Sequence, residues 1–197
     1  MSNTVTKQGS WWDINVDIDV FKRWVKGINA PSRKYVRDYI DKKGYTNVLD
    51  VGAGLCEDYY GFLELGGKVH YNAVDFTRQF VEISRPVGIH IELAESDKLP
   101  YEDMVFDIVY CRHLVEHLPY YESTLTDMIR VSKKELIVTF FLPPKEVDDV
   151  IKTNNGLHHN IYDKNKITNF VMSNERVYNT RWENFGEDES ILFIELA

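Results

Sequence analysis

Apolar positions recur at helical spacing over residues 17–28 and 31–43, and Pro31 stands where a first helical turn accepts proline. From residue 47 the pattern changes. Short, β-branched, nearly continuous apolar runs at 47–51, 68–74, 88–93, 106–111 and 135–141 predict five strands. Helical spacing at 56–65, 76–85 and 120–132 separates the first from the second, the second from the third, and the fourth from the fifth. Gly52 and Gly54 follow the first run, Asp75 ends the second, and Pro143-Pro144 stops the fifth. Two more helices are expected near 145–152 and 163–173, with Asp163 as cap of the latter. Residues 176–183 and 190–197, joined by the turn-rich 184–188, read as a terminal hairpin.

Strands alternating with helices imply an α/β, doubly wound, mostly parallel sheet with helices on both faces. Adding the antiparallel hairpin brings the sheet to seven strands. In such sheets a ligand lies outside the carboxyl ends of the strands, so the residues that follow each strand are the candidates for function.

Composition narrows the class. The chain has 197 residues, 44% apolar and 27% charged, which is neither a disordered nor a membrane composition and suits one domain. The longest apolar run, 136–142, is strand-sized and far short of the ~20 residues that span a bilayer. The amino terminus lacks the basic-then-apolar layout of a signal peptide. Cys56 and Cys111 form no CxxC pair, so a reducing cytoplasm is expected. A net charge of −8 argues against a protein that grips long nucleic acid over its whole surface. Residues 20–45 are a local exception, with Lys22, Arg23, Lys26, Arg33, Lys34, Arg37, Lys42 and Lys43 facing Asp38 and Asp41. A solvated helix face is the simpler reading of that stretch, and a basic wall meeting an anionic acceptor is the sharper one.

The strongest chemical signal is Asp50-Val51-Gly52-Ala53-Gly54 after the first strand. Glycines let the backbone turn sharply and approach a ligand, and the helix that follows offers free N–H donors. A dinucleotide fingerprint needs a third glycine where Glu57 stands, and a carboxylate there would oppose a pyrophosphate; NAD and FAD are disfavoured. Further acids follow at regular stations: Asp75 with Phe76, then Glu95-Ser96-Asp97-Lys98-Leu99-Pro100.

In order and spacing these motifs resemble those of class I S-adenosylmethionine-dependent methyltransferases. The resemblance covers about residues 45–142, and the terminal hairpin is similar too. It implies S-adenosylmethionine as cofactor, with Asp50, Gly52, Ala53 and Gly54 forming the turn around it. By the same resemblance Asp75 would hold the ribose diol, Phe76 would flank the adenine, and Glu95, Ser96 or Asp97 would read the adenine amino group. Cys111 and Arg112 at the end of the fourth strand, with His117 in the Leu114-Val115-Glu116-His117-Leu118 segment beyond it, complete the implied cofactor contacts. One departure is Cys56, which stands where the family often has another glycine. The implied layout is a helical cap over 1–44, a cofactor-binding core over 45–142, and acceptor-side helices with the hairpin over 143–197.

The acceptor side is rich in histidine. His113 and His117 follow the fourth strand, and His158 and His159 lie beyond the fifth, whereas His70 and His90 near strand starts read as structural. A hydroxyl acceptor needs a base, and His113, His158 and His159 are the candidate catalytic residues. His113 and His117 are four apart and would share a face if their segment were helical. Together they spell HxxEH, a zinc-protease pattern, but the segment abuts a strand of the sheet and is accounted for by the methyltransferase motifs, so no metal is expected. Asn160 belongs to the same candidate acceptor loop. Trp11 and Trp12 suggest aromatic density ahead of the first helix, and Phe21, Tyr59 and Tyr60 read as core packing.

The expected activity is O-methylation of a small acceptor such as a sugar or glycan. Rivals are N-methylation of a small amine, methylation of a nucleotide or nucleic acid, and a non-catalytic scaffold. The lean to oxygen rests on the histidines and on Phe141-Leu142-Pro143-Pro144, which lacks the asparagine of an Asn-Pro-Pro-Tyr motif. The short insertions favour a small or exposed substrate.

Overall fold

The structure is a computed structural model and describes residues 16–24, 27–149 and 157–197. Trp11, Trp12, residues 25–26 of the first expected helix and residues 150–156 lie outside the described residues, and 27–28 are not helical. Among the described residues two helices come first, α1 (Ile18–Trp24) and α2 (Pro31–Lys43). Then come β1 (Asn47–Val51), α3 (Glu57–Glu64), β2 (His70–Asp75), α4 (Arg78–Ser84), β3 (Ile91–Leu93), β4 (Phe106–Arg112), α5 (Glu122–Val131) and β5 (Ser132–Phe140). The chain closes with α6 (Lys164–Met172), β6 (Val177–Phe185) and β7 (Glu189–Leu196).

All seven strands form one sheet in the order β3-β2-β1-β4-β5-β7-β6. The first five are parallel, and β7 runs antiparallel between β5 and β6. The doubly wound sheet with its terminal hairpin is therefore as the sequence predicts. Strand order reverses between β1 and β4, which is the switch point where ligands bind in open α/β sheets.

Alternate side chains of the central strands feed two cores. Leu49, Val109, Leu136 and Val138 pack with Leu125, Met128 and Ile129 of α5 and Ile167 and Val171 of α6. Val48, Ile108, Tyr110 and Ile137 pack on the other face with Val36 and Ile40 of α2, Phe62 of α3 and Val81 of α4. A strand buried on both faces has to be apolar throughout, which is why these runs do not alternate with polar residues. Burying each of the larger aliphatic side chains contributes about 1.5–3 kcal/mol.

Register places the site. Val51 pairs with Val74 on one side and Cys111 on the other, and Cys111 pairs with Val138. Residues 52–54, 75–77, 112–114 and 139–141 consequently meet along one edge. His70 and His90 are exposed at the opposite edge.

One expected helix is absent over its described part. Lys145 bridges Asp163 and Asp149 bridges Ile161, so 145–149 runs as an extended strap, not as the start of a helix at 145–152. Its backbone polar groups find partners in 161–164, which removes the need for helical bonding. The expected cap of α6 is present, with the Asp163 side chain accepting from the Asn165 and Lys166 N–H groups. Changing Asp163→Ala should lower stability by about 1 kcal/mol, read as a shift of the urea midpoint at unchanged slope. A shift under a few tenths would show that the strap, not the cap, holds this end of α6.

Candidate active site

The turn after β1 is held by its neighbour strand. Gly52 and Ala53 donate backbone N–H groups to the Val74 carbonyl at 2.9 and 3.2 Å, and Gly54 donates to Asp75 Oδ2 at 2.8 Å. Gly54 has φ +57°, and a Cβ added there would lie 2.9 Å from the Phe21 ring. Phe21, on α1, stacks on Phe80 with ring centres 4.4 Å apart and roofs the turn. Cys56 takes φ 58°. The residue that replaces the expected glycine thus adopts the left-handed backbone a glycine would supply, and the turn keeps its shape at a cost of about 1–2 kcal/mol.

Two cavities open on this edge and share Phe21, Gly52, Gly54, His113 and His117. The first runs past Asp75, Phe76 and Thr77 to Glu95, Ser96 and Asp97, with Leu114 opposite. Its walls suit a flat apolar ring next to polar groups that need a carboxylate partner. Asp75 is buried, and burial raises its carboxyl to about 6 against the opposing pull of the Thr77 and Gly54 N–H groups. Its Oδ1 accepts from Thr77 N at 2.7 Å, so one side chain ties the glycine turn to the β2–α4 loop.

The second cavity, about 390 Å³, lies between the helical cap and the loop after β5. Arg33 and Asp58 wall one side, Arg112 and His113 the middle, and Phe141, Leu157 and His159 the other. Asp58 accepts from both Arg33 and Arg37, all three buried, with the Arg37 contact at 2.7 Å. Two members of the basic 20–45 stretch therefore fold inward to lock α2 on α3; the solvated-face reading fails for Arg33 and Arg37, while Arg33 also lines the second cavity. Below the turn, Asp50 accepts hydroxyl protons from Tyr71 at 2.6 Å and Tyr110 at 2.9 Å. Burial, with Asp58 nearby, lifts its carboxyl to about 7.

His113 has φ 54°, a left-handed conformation uncommon for a residue with a side chain. Its N–H donates to the Thr139 carbonyl at 2.9 Å. Its buried Nε2 lies 3.0 Å from Glu189 Oε1, within hydrogen-bond reach, and has no other partner among the described residues. Burial lowers the His113 imidazole to about 4, with Glu189 pulling the other way, so it is neutral at pH 7. His117 is also lowered to about 4 by burial, and its Nδ1 is 2.8 Å from the His158 carbonyl. The rings of His113 and His117 each lie 5.3 Å from Phe141, which brings both into one aromatic wall through a single 3-10 turn at Val115–His117 and no α-helix.

The sequence candidates divide as follows. Gly52, Gly54, Asp75, Phe76, Glu95, Ser96, Asp97 and His117 line the first cavity. Asp50, Ala53, Arg112, His113 and His159 line the second. Cys111 is fully buried in the core and lines neither, and His158 meets the site through its carbonyl. Asn160 is buried, donating to Leu118 O at 2.7 Å and Tyr162 OH at 2.8 Å, and is an internal brace of the loop. Glu116 is buried too, its Oε1 accepting from Phe141 N at 2.5 Å, which fixes the wall behind the histidines. Tyr60 is exposed, and Phe21 lines both cavities instead of the core. Sequence reasoning offered Arg33 only as one of eight basic residues and did not single out Asp58, Leu114, Phe141 or Glu189 as site residues.

Residues 49–140 match the family model for a methyltransferase domain. No curated protein matches the chain. Among solved structures, a protein from Pyrococcus horikoshii is 15% identical with a TM-score of 0.66, covering 90% of this chain and 99% of that one. The S-adenosylmethionine-dependent methyltransferase from Aquifex aeolicus is 18% identical with a TM-score of 0.62, covering 92% and 100%. The 1,6-didemethyltoxoflavin-N1-methyltransferase from Burkholderia thailandensis, solved with bound 1,6-didemethyltoxoflavin and S-adenosylhomocysteine, is 13% identical with a TM-score of 0.69, covering 90% of this chain and 82% of that one. At these identities the likeness establishes the fold.

Proposed function

Because residues 49–140 are a methyltransferase domain of the class I S-adenosylmethionine-dependent superfamily, we propose that this enzyme methylates a hydroxyl of a small acceptor, such as a sugar. S-adenosylmethionine supplies an activated methyl carbon on a sulfonium sulfur, open to in-line displacement. The fit to this chain rests on the glycine turn, where a Cβ at Gly54 would meet Phe21, and on the acid ending β2. In this reading Asp75 accepts the ribose hydroxyls, Phe76 and Leu114 sandwich the adenine, and Glu95, Ser96 or Asp97 meets its amino group. Arg33, held beside the turn by Asp58, faces the carboxylate of the methionine end.

The observation that carries the oxygen reading is His113. A neutral imidazole on a left-handed residue directly after β4 lines both cavities, at the junction where cofactor and acceptor would meet. A hydroxyl must lose its proton as the oxygen attacks, and a neutral imidazole is able to take it. The 390 Å³ volume of the second cavity supports a small acceptor.

The test is a panel of sugars, nucleotide sugars, phenols, amines and oligonucleotides scored for S-adenosylhomocysteine release. Turnover with hydroxyl acceptors is expected; turnover confined to amines would replace this reading by N-methylation. Cofactor binding is checked separately. S-adenosylmethionine should raise the melting temperature and NAD should not, since a ligand that binds the folded state stabilises it by mass action. Asp75→Ala should weaken that binding by about 1–3 kcal/mol. Unchanged calorimetric affinity in a folded Asp75→Ala protein would remove Asp75 from the cofactor site.

A further inference from the structure

Three distant segments converge on one carboxylate beside His113. Glu189 is the first residue of β7 and pairs with Phe185 across the hairpin. Its Oε2 accepts the Ser32 hydroxyl from the first turn of α2. Its Oε1 accepts from Arg112 Nη2 at 2.6 Å and lies 3.0 Å from His113 Nε2. Arg112 Nη1 closes the ring by donating to Ser32 Oγ at 2.9 Å. A buried carboxylate with an arginine fork and a hydroxyl already has adequate partners. The imidazole beside its Oε1 is therefore an addition that charge balance does not require.

We propose that Glu189 is a positioning residue for His113: its Oε1 accepts the Nε2–H of the neutral ring and so leaves the proton-accepting lone pair on Nδ1. The inference rests on the reading of His113 as base. A carboxylate oxygen has two lone pairs, so Oε1 can serve Arg112 and His113 together. The same arrangement of carboxylate, imidazole and hydroxyl orients the base in hydrolytic triads, where the carboxylate selects the tautomer and stabilises the imidazolium.

Proton and electrons balance along the step. The acceptor O–H proton passes to Nδ1, the oxygen lone pair forms the new O–CH₃ bond, and the C–S bonding pair goes to sulfur, giving neutral S-adenosylhomocysteine. His113 is then an imidazolium whose Nε2–H faces Glu189, and it returns its proton to solvent. The other charged groups about the ring are Arg112 on β4 and Arg33 on α2, both of which disfavour the imidazolium. His117, on the turn that follows, lies across Phe141 from His113. Glu189 is the counter-charge in contact.

The experiment is ¹⁵N NMR of histidine-labelled full-length protein saturated with S-adenosylhomocysteine, with His113 assigned by its loss in His113→Gln. The expected result is a single Nε2–H tautomer with a deshielded, slowly exchanging Nε2 proton. In Glu189→Gln that proton should shift toward its unbonded position, and turnover should fall at least tenfold with cofactor affinity within threefold. An Nδ1–H tautomer in the native chain overturns the inference even if no Glu189 variant folds. A proton indifferent to Glu189→Gln, with turnover still lost in His113→Gln, overturns the inference and leaves the base in place. A proton that moves, with turnover intact in His113→Gln, supports the contact and overturns the base reading alone.

Discussion

Methyl transfer in a His113→Gln variant should run at least about a hundredfold slower than in the native chain, the lower end of what a positioned base contributes. Cofactor affinity should stay within threefold, because the glycine turn and Asp75 reach the cofactor through other strands. The measurement is S-adenosylhomocysteine release with the best acceptor of the panel, alongside calorimetry with the cofactor. His159→Gln should have the smaller effect, since His159 lines the acceptor cavity but not the cofactor one. The pH profile follows from burial. An ordinary histidine would place the rising limb near pH 6–7, but His113 is lowered to about 4. The base form then predominates above about pH 5, and the rate should be level from pH 6 to 8 and fall only below 5. A limb at 6–7.5 that disappears in His159→Gln would move the base to His159. Turnover within tenfold of native in His113→Gln would end the assignment to His113.

The largest effect on stability should come from Asp58. This carboxylate lies between Arg33 and Arg37, with all three side chains under a tenth exposed, so solvent screening offers little relief. Removing one partner of such a buried set leaves uncompensated charge and costs about 3–5 kcal/mol. Asp58→Ala should therefore lose a fifth or more of the roughly 5–15 kcal/mol that holds a typical domain together. Urea unfolding gives the number, and Asp58→Ala combined with Arg37→Met should recover part of it. A loss below 1 kcal/mol at unchanged slope would mean that the triad is solvated in solution. Because Asp58 holds Arg33 where it is proposed to face the methionine carboxylate of the cofactor, the single variant should bind cofactor less well, while Asp163→Ala should not.

What could be read from the sequence was local. Strand, turn and acid recur within a few residues of one another at β1–Gly54 and β2–Asp75, so spacing alone fixes their meeting at the carboxyl edge. The hairpin at 177–196 was equally legible, since its turn and both strands are contiguous. Contacts that cross the chain left no such trace. Asp58 and its arginines are 21 and 25 residues apart, and nothing in the α2 periodicity distinguishes Arg33 and Arg37 from the lysines that remain in solvent. The 145–152 stretch has helical spacing, but its described part bonds to 161–164, a tertiary choice that overrides local preference. His113 and His117 meet at Phe141, though by a left-handed residue and a short turn, not the helical face that their spacing suggests.

The Ser32–Glu189 bond joins residues 157 positions apart, which gives the site a schedule. On a ribosome that adds roughly 5–20 residues per second, Asp75 and the glycine turn are made several seconds before Glu189 exists. A nascent chain can shape the Gly52–Gly54 turn early, but the carboxylate proposed to steady His113 arrives only with β7. Synthesis therefore separates the two halves of the proposed site in time: the glycine turn precedes the partner of the base by more than a hundred residues.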